Sequence, residues 1–285
     1  MNGARAQGAA PLPCESVAGT RTRSRWIALE GAANVRDLGG LSLRGGGTTA
    51  PGVLLRADNL QGLTAGDVGR LVGDLGVRAV VDLRTEVEVE LEGPGPLVRE
   101  QRVAIHHRSL MPEVGARTDV ALDGTLPWQG REFDNDRGES GVVQAYLSYL
   151  LDRPDSVVGA LRDIATAPGG VVVHCAAGKD RTGMVCALAL ELVGVERAAV
   201  VADYVATGER LEPLLARLRA SPTYAADLEG RPPESHRPRA ESMSRTLELL
   251  DERHGGASGW LAAHGFEAAD AGALRRRLID GRSGP

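Results

Sequence analysis

Residues 170–193 constrain the fold more than any other part of the chain, because a strand pattern changes there into a helix pattern across a small polar loop. Residues 170–173 (Gly-Val-Val-Val) are short and β-branched, which is typical of a buried strand. Residues 184–193 are apolar nearly all round and rich in helix formers, which indicates a buried helix. A strand, a tight loop and a helix in this order place the loop at a helix N-terminus, where negative charge is stabilised.

The loop concentrates reactive and charged side chains. Residues 174–183 are His-Cys-Ala-Ala-Gly-Lys-Asp-Arg-Thr-Gly, and Lys179 is the only lysine in the chain. Cys175 and Arg181 have the Cys-x5-Arg spacing of a thiol nucleophile followed by a loop that cradles phosphate. At a helix N-terminus Cys175 is expected to be largely thiolate, and the planar fork of Arg181 matches two phosphate oxygens. We predict Cys175 as the nucleophile and Arg181 as the group that follows the charge into the transition state.

The remaining loop residues fit a site for the other phosphate oxygens. Backbone N–H groups of residues 176–181 can point inward as an anion-binding nest, and small side chains keep its rim uncrowded. Lys179 adds a second cation, and Thr182 can donate a hydrogen bond to the Cys175 sulfur when it leaves phosphorus. The predicted substrate-binding residues of the loop are Ala176, Ala177, Gly178, Lys179, Thr182 and Gly183.

Composition and charge exclude several classes of protein. The 285 residues carry a net charge of −5 and no useful run of Lys or Arg, which argues against a nucleic-acid binder. No apolar stretch approaches the ~20 residues of a membrane span, and no signal-peptide pattern is visible. Three cysteines without a paired framework favour a reducing compartment. We expect a cytoplasmic protein without stable membrane insertion, and non-classical secretion stays open.

Strand patterns alternate with helix patterns, which predicts an α/β fold with a mainly parallel central sheet flanked by helices. Strands are expected over residues 77–83, 103–110 and 170–173, and a hairpin with its turn at residues 45–47 is expected over residues 41–57. Helices are expected over residues 64–75, 86–92, 142–151, 156–166, 184–193, 242–253 and 268–279, with a turn at residues 255–256. Residues 196–218 have helical periods that are interrupted at Gly208 and Pro213.

The domain organisation follows from the segments without periodicity. Residues 1–24 are rich in Gly, Ala, Arg, Thr and Ser, which predicts a mobile tail and leaves residues 25–285 as one domain. Residues 111–140 are polar and Gly-rich, and residues 220–240 contain four prolines. We expect both segments to be lid-like excursions over the loop, because connections of this length are commonly functional or mobile.

The loop and four further segments resemble a known family. Residues 174–183 match the His-Cys-x-Ala-Gly-Lys-Asp-Arg-Thr-Gly form of the atypical bacterial tyrosine phosphatases. Residues 34–40, Asn-Val-Arg-Asp-Leu-Gly-Gly, are similar to the family's Asn-Phe-Arg-Asp-Leu-Gly-Gly. Matches also occur at residues 55–58, 81–84 and 203–204. The resemblance implies a cysteine-dependent phosphatase with a phosphatase-like fold, and no cluster of metal ligands or cofactor motif is visible beside it.

The resemblance also implies substrates and an acid. Substrates in that family range over phosphotyrosine, phosphoserine or phosphothreonine, and phosphoinositides, so we expect a phosphorylated protein or a phosphoinositide as the partner. The family is thought to protonate the leaving group with the loop aspartate, here Asp180, and a bound dianion favours a protonated carboxyl. Asp82 ends a predicted strand that is expected to border the cleft, so we predict it as a further substrate-binding residue and as the second candidate for the acid.

Two other functions stay open. A phosphate-binding module without catalysis is the first, but Cys175, Asp180 and Arg181 are all intact. A rhodanese-like sulfurtransferase is the second, although Thr182 and the Lys179–Asp180 pair speak against it. A Walker-type nucleotide loop is excluded, because Asp180 stands where that loop needs Ser or Thr.

Overall fold

The computed structural model describes residues 24–112 and 139–281, and the centre of this part of the chain is a five-stranded sheet in the order β1-β2-β5-β3-β4. Its strands are β1 (Arg36–Asp37), β2 (Leu54–Ala57), β3 (Val77–Asp82), β4 (Ala104–His107) and β5 (Gly170–His174). β1 lies antiparallel at one edge, and the other strands are parallel to one another. The predicted α/β fold with a mainly parallel sheet is confirmed.

Helices cover both faces of the sheet. They are α1 (Ala65–Gly69), α2 (Glu86–Glu92), α3 (Gly141–Asp152), α4 (Pro154–Thr166), α5 (Asp180–Val193), α6 (Arg197–Ala206), α7 (Leu211–Ala220), α8 (Ala225–Leu228), α9 (Ala240–His254), α10 (Gly256–Ala263) and α11 (Ala268–Asp280). A π turn over Arg70–Asp74 continues α1, and 3-10 turns lie at Pro96–Arg99, Thr207–Arg210 and Pro233–His236. Among the helices of the described ranges, none has both the length and the apolarity that crossing a membrane requires.

The alternation of side chains along β5 divides the interior into two cores. Val171 and Val173 face the larger core, which is closed by helices α3 to α6 and α9 to α11. Val172 faces a smaller core that is closed by α1 and the π turn. Because β5 is buried on both faces, its sequence is a continuous apolar run rather than an alternating one.

The carboxyl ends of the parallel strands meet at one edge of the sheet. Ala57 and Asp82, the last residues of β2 and β3, both pair in register with His174, the last residue of β5. β5 lies between β2 and β3, so the loop that follows it opens at the middle of this edge. Ligands of open α/β sheets bind outside the carboxyl ends of the strands, which makes this loop the natural centre of a site.

The sequence specifies the first two helices through their N-caps. The Thr64 hydroxyl accepts a hydrogen bond from the Asp67 backbone N–H, and the Asp67 carboxylate accepts one from the Thr64 N–H. Thr85 and Glu88 form the same reciprocal pair at the start of α2. Capping boxes of this kind satisfy two backbone donors that would otherwise be unpaired.

Three local predictions need correction. The turn at residues 45–47 is present, but the returning strand β2 pairs with β1 rather than with residues 41–44. The strand expected over residues 103–110 is shorter, because β4 covers Ala104–His107. The interruption expected at Pro213 is absent, because Pro213 lies in the first turn of α7, where proline is tolerated, whereas Gly208 does lie in the 3-10 turn between α6 and α7. The predicted turn at residues 255–256 is present, and Gly255 in the left-handed conformation (φ +71°) ends α9 directly before α10.

The predicted excursions and tail are only partly within the described residues. Residues 1–23 and 113–138 lie outside them, so the predictions for the tail and for most of residues 111–140 stay predictions. Residues 220–240 contain α8 and the 3-10 turn Pro233–His236, which are short helical pieces beside the loop after β5.

Candidate active site

The loop after β5 makes a tight turn that requires glycine at residue 178. Gly178 has φ +64°, a conformation that L side chains rarely adopt. A Cβ atom at this position would also lie 2.2 Å from the carbonyl oxygen of Ala57, so no larger residue fits against β2. The loop is therefore pressed against the carboxyl end of the neighbouring strand.

The four carbonyl groups of residues 176–179 all accept hydrogen bonds from the protein behind the loop. The Asn59 backbone N–H donates to the first (2.9 Å), and the Asn34 side-chain amide donates to the second and third (3.0 and 3.2 Å). The Arg56 guanidinium donates to the third and fourth (2.6 and 3.3 Å). With the carbonyls held at the back, the N–H groups of the loop are available to an anion at the front.

A buried ion-pair network holds these donors in place. The Asp203 carboxylate accepts from Arg56 (2.8 Å), from Arg36 (3.0 Å) and from Arg25 (2.8 Å). Burial alone would raise the pKa of Asp203, but the charges of Arg36 and Arg56 dominate and hold it well below its usual value. Arg36 also donates to the side-chain oxygen of Asn34. The matched segments at residues 34–40, 55–58 and 203–204 are thus the support for the back of the loop.

The front of the loop faces a cavity of about 360 Å³ that brings the three predicted catalytic residues together. Cys175, Asp180 and Arg181 all line it, as do Ala176, Ala177 and Lys179. Cys175 is only 2% exposed, so its sulfur is reached through this cavity rather than from the outer surface. The arrangement places a thiol, a carboxyl and a guanidinium around one small space.

Glu88 fixes the guanidinium of Arg181. Arg181 donates to both carboxylate oxygens of Glu88, at 2.6 and 2.9 Å, and to the carbonyl of Leu83 at 3.3 Å. Burial would raise the pKa of Glu88, but the charge and hydrogen bonds of Arg181 lower it below its usual value. Bidentate pairing of this kind sets the plane as well as the position of the guanidinium.

Asp180 begins α5 and lies within reach of two donors. Its Oδ1 accepts a hydrogen bond from the Tyr146 hydroxyl at 2.6 Å, and its Oδ2 lies 3.5 Å from the Lys179 ammonium. The Lys179 ammonium in turn donates to the carbonyl of His236 at 2.9 Å. Lys179 therefore connects the loop to the 3-10 turn Pro233–His236 while lining the cavity.

Asp82, the second candidate acid, lies in a different environment. Its carboxylate receives a bidentate interaction from Arg84 (2.9 and 2.6 Å), and His174 lies 3.6 Å from it. Burial raises the pKa of Asp82, but Arg84 and, when protonated, His174 outweigh burial and hold it far below its usual value. A carboxylate that stays ionised in this way is a poor proton donor, and Asp82 is not among the residues that line the cavity.

The remaining predicted residues surround the loop from below. The Thr182 hydroxyl is fully buried and has no hydrogen-bond partner among the described residues, so its bond to the Cys175 sulfur stays a prediction. Gly183 admits the ring of Tyr204, because an added Cβ would lie 3.1 Å from that ring. His174 is buried, and its Nδ1 lies 3.3 Å from the Cys175 carbonyl oxygen.

Much of the remaining lining of the cavity is apolar and aromatic. Tyr146 and Tyr149 approach from α3, and Tyr224 approaches from the segment before α8. The aliphatic lining residues are Val142, Ala145, Leu211, Leu214, Leu215, Leu218 and Leu228. The cavity thus joins the loop, with Cys175 and Arg181, to an apolar region in the same space.

Sequence reasoning missed two residues of this site. Glu88 was visible only as part of an acidic helix pattern, and Tyr146 only as part of an apolar one. The Thr85–Glu88 capping box was a local signal, but it indicates a helix start and not a partner for Arg181. Within residues 24–112 and 139–281, no group of three or more His, Cys, Asp or Glu side chains is placed to hold a metal ion.

Comparison with known proteins identifies the family. A model described as the tyrosine phosphatase family matches residues 27–280. The chain belongs to this family. It is 31% identical over 282 residues to the triple specificity protein phosphatase PtpB of Mycobacterium tuberculosis, covering 88% of this chain and 98% of that protein. It is also 32% identical over 233 residues to a tyrosine-protein phosphatase of Nostoc commune, covering 79% of this chain and 73% of that protein. The predicted resemblance is confirmed, and the chain is a cysteine-dependent protein-tyrosine phosphatase.

Proposed function

We propose that this phosphatase hydrolyses phosphotyrosine in proteins, with Cys175 as the nucleophile, Arg181 as the phosphate-binding cation and Asp180 as the acid and base. The observation that carries the proposal is that all three residues line one cavity whose remaining lining is largely apolar and aromatic. A phosphorylated tyrosine presents a dianion and an aromatic ring together.

In the first step the Cys175 thiolate attacks phosphorus and forms an S–P bond. The bond between phosphorus and the tyrosine oxygen breaks, and that oxygen takes its proton from Asp180. The N–H groups of residues 176–181 and the Arg181 guanidinium receive the equatorial oxygens as charge develops on them. The hydrogen bonds behind the loop support this step, because the donors are oriented before the substrate arrives.

In the second step water attacks phosphorus and the S–P bond breaks. The Asp180 carboxylate takes the proton of the attacking water, inorganic phosphate forms, and Cys175 leaves as thiolate. Thr182, buried beneath the loop, is the proposed donor to that sulfur. Gly178 and Gly183 allow the loop and α5 to pack closely against β2 and Tyr204. Asp82 holds Arg84 in place rather than acting as the acid.

A broader substrate range is the second proposal. The name of the mycobacterial relative describes it as a triple specificity phosphatase. Lys179 and Arg231 both line the cavity and offer further positive charge to a second acidic group, as a phosphoinositide or an acidic phosphopeptide would carry. We also propose one phosphatase domain over residues 25–285, and a cytoplasmic location, on the composition and cysteine usage given above.

A substrate panel tests the preference. Initial rates are compared for a phosphotyrosine peptide, the same peptide carrying phosphoserine or phosphothreonine, and a phosphoinositide in mixed vesicles. We expect the highest kcat/KM for phosphotyrosine, because among these substrates only phosphotyrosine has an aromatic ring beside the phosphate that can pack against the apolar lining of the cavity. A higher kcat/KM for the phosphoinositide would make the second proposal the main function, and activity on thiosulfate without any phosphatase activity would replace both by sulfurtransfer.

A further inference from the structure

We propose that Tyr146 is a positioning residue for Asp180, and that Tyr146 and Tyr204 form a one-way hydrogen-bond chain that favours the ionised carboxylate needed for the second step. This inference rests on the proposed roles of Asp180. It assigns function to two buried hydroxyls that the reaction steps above do not use.

The chain of hydroxyls is short and well shielded. The Tyr146 hydroxyl lies 2.6 Å from Asp180 Oδ1 and 2.7 Å from the Tyr204 hydroxyl. Tyr146 and Tyr204 are 1% and 2% exposed. Their rings meet edge to face with centroids 6.2 Å apart, and the absence of a side chain at Gly183 lets the Tyr204 ring approach α5.

The direction of the chain follows from its end at Asp180. The Tyr146 hydroxyl donates its single proton to the Asp180 carboxylate. The Tyr204 hydroxyl is therefore the donor in its 2.7 Å contact with the Tyr146 oxygen. Burial, Asp180 and Tyr204 hold the pKa of Tyr146 well above its usual value, and burial likewise raises that of Tyr204, so both hydroxyls keep their protons.

A hydrogen bond donated to a carboxylate stabilises its ionised form. Four groups face Asp180: Lys179 on its own loop, His236 on the 3-10 turn, Tyr146 on α3 and, through it, Tyr204 on α6. Tyr146 is the only one of the four whose described hydrogen bond is donated to the carboxylate itself. Its loss therefore alters the proton affinity of Asp180 while the Lys179 ammonium stays in place.

The test is Tyr146→Phe, which keeps the ring and its packing and removes the hydroxyl. The basic limb of the pH profile of kcat/KM for phosphotyrosine reports the titration of the general acid in the free enzyme. In the variant we expect this limb to move to higher pH by about one unit. With an aryl phosphate that has an acidic leaving group, kcat and KM are expected to fall together on the acid side of the profile, because there a smaller fraction of the cysteinyl-phosphate enzyme carries the ionised Asp180. A merely structural role for Tyr146 would lower kcat/KM without moving the limb.

Graded controls strengthen this test. Tyr204→Phe leaves the Tyr146 bond to Asp180 in place, so we expect a smaller shift of the same sign. Tyr149→Phe removes a hydroxyl from a ring that stacks on Tyr146, with centroids 6.2 Å apart, and its basic limb is expected to stay at the wild-type position. Equal shifts in the Tyr146 and Tyr149 variants would overturn the proposal.

A readout without turnover separates this inference from the proposed function. A ¹³C NMR titration of the Asp180 carboxyl is expected to show a higher midpoint in Tyr146→Phe than in the wild-type protein. An unchanged midpoint overturns the hydroxyl chain even if the enzyme is active. Wild-type protein that is inactive on every phosphomonoester overturns the proposed function, while the titration still decides the state of Asp180.

Discussion

The back of the phosphate loop and its front are built in opposite ways. At the back, Arg36, Arg56 and Asp203 are each about 1% exposed and bind one another or the loop carbonyls. At the front, the Asp180 side chain is 32% exposed and shares an open cavity with Cys175. The back fixes the directions of the N–H groups before a substrate arrives, and the front keeps its reactive groups accessible.

The Arg181–Glu88 pair combines a feature of the front with a feature of the back. Arg181 lines the cavity, yet its guanidinium is as firmly held by Glu88 as Arg56 is held by Asp203. In the proposed mechanism Arg181 binds two phosphate oxygens, and a fixed plane favours this because less orientational freedom is lost on binding. The comparison therefore predicts that changes at the front alter rates and that changes at the back alter stability.

Among variants that keep the Cys175 nucleophile, the largest effect on rate is expected from Asp180→Asn. It should slow a phosphate ester with a poor leaving group by about 10²–10⁴-fold, and slow an ester with a very acidic leaving group far less, because that group departs without a proton. Rates for phenyl and dinitrophenyl phosphates measure the difference.

The matched control is Asp82→Asn, which removes a carboxylate that binds Arg84 outside the cavity. Its effect is expected to be similar for the two esters. If the leaving-group dependence appears in the Asp82 variant and not in the Asp180 variant, the assignment of the acid is reversed.

At the back, Asp203→Asn is expected to lower the free energy of unfolding by about 3–5 kcal/mol, because buried arginines lose their counter-charge. The exposed Arg197–Asp251 pair offers a control, since Asp251→Asn should cost no more than about 1 kcal/mol. Urea unfolding of both variants at neutral pH measures the two costs. A loss at Asp203 no larger than that at Asp251 would contradict the division between back and front.

The pH dependence sharpens the same comparison. The native state lowers the pKa of Asp203 below its ordinary value of 3.8, so the stabilisation is present above that pH and is lost as the pH falls below it. The stability difference between wild type and Asp203→Asn should therefore be constant near neutral pH and shrink in acid below about pH 4.

The features that could be predicted from the sequence are those whose pattern lies within one continuous segment. The strand and helix within residues 170–193 each have a recognisable hydrophobic pattern, from which the α/β fold class could be predicted. The catalytic candidates could be predicted because the Cys175–Arg181 spacing lies within a single loop. The α2 helix was predicted with its observed bounds, Glu86–Glu92, because the acidic helical pattern begins and ends with this segment.

The hydrogen-bond partners of Arg181 and Asp180 could not be predicted from the sequence, because they are distant from these residues along the chain. Glu88 meets Arg181 across 93 residues, and Tyr146 meets Asp180 across 34. The pairing of β2 with β1 likewise depends on the sheet order and not on the turn at residues 45–47. Periodicity describes which face of an element is buried, but it does not describe which element covers that face.

Cys175→Ser tests the division of the loop into a binding back and a reactive front most directly. We predict that it lowers kcat by about 10⁴-fold or more, while inorganic phosphate binds with nearly unchanged affinity by calorimetry, since the back still orients the N–H groups and Glu88 still holds Arg181. Cys186→Ala is the control, because burial raises the pKa of Cys186 to about 12 and that thiol is not expected to react. Turnover that survives Cys175→Ser, or phosphate binding lost together with turnover in a folded variant, would contradict the account.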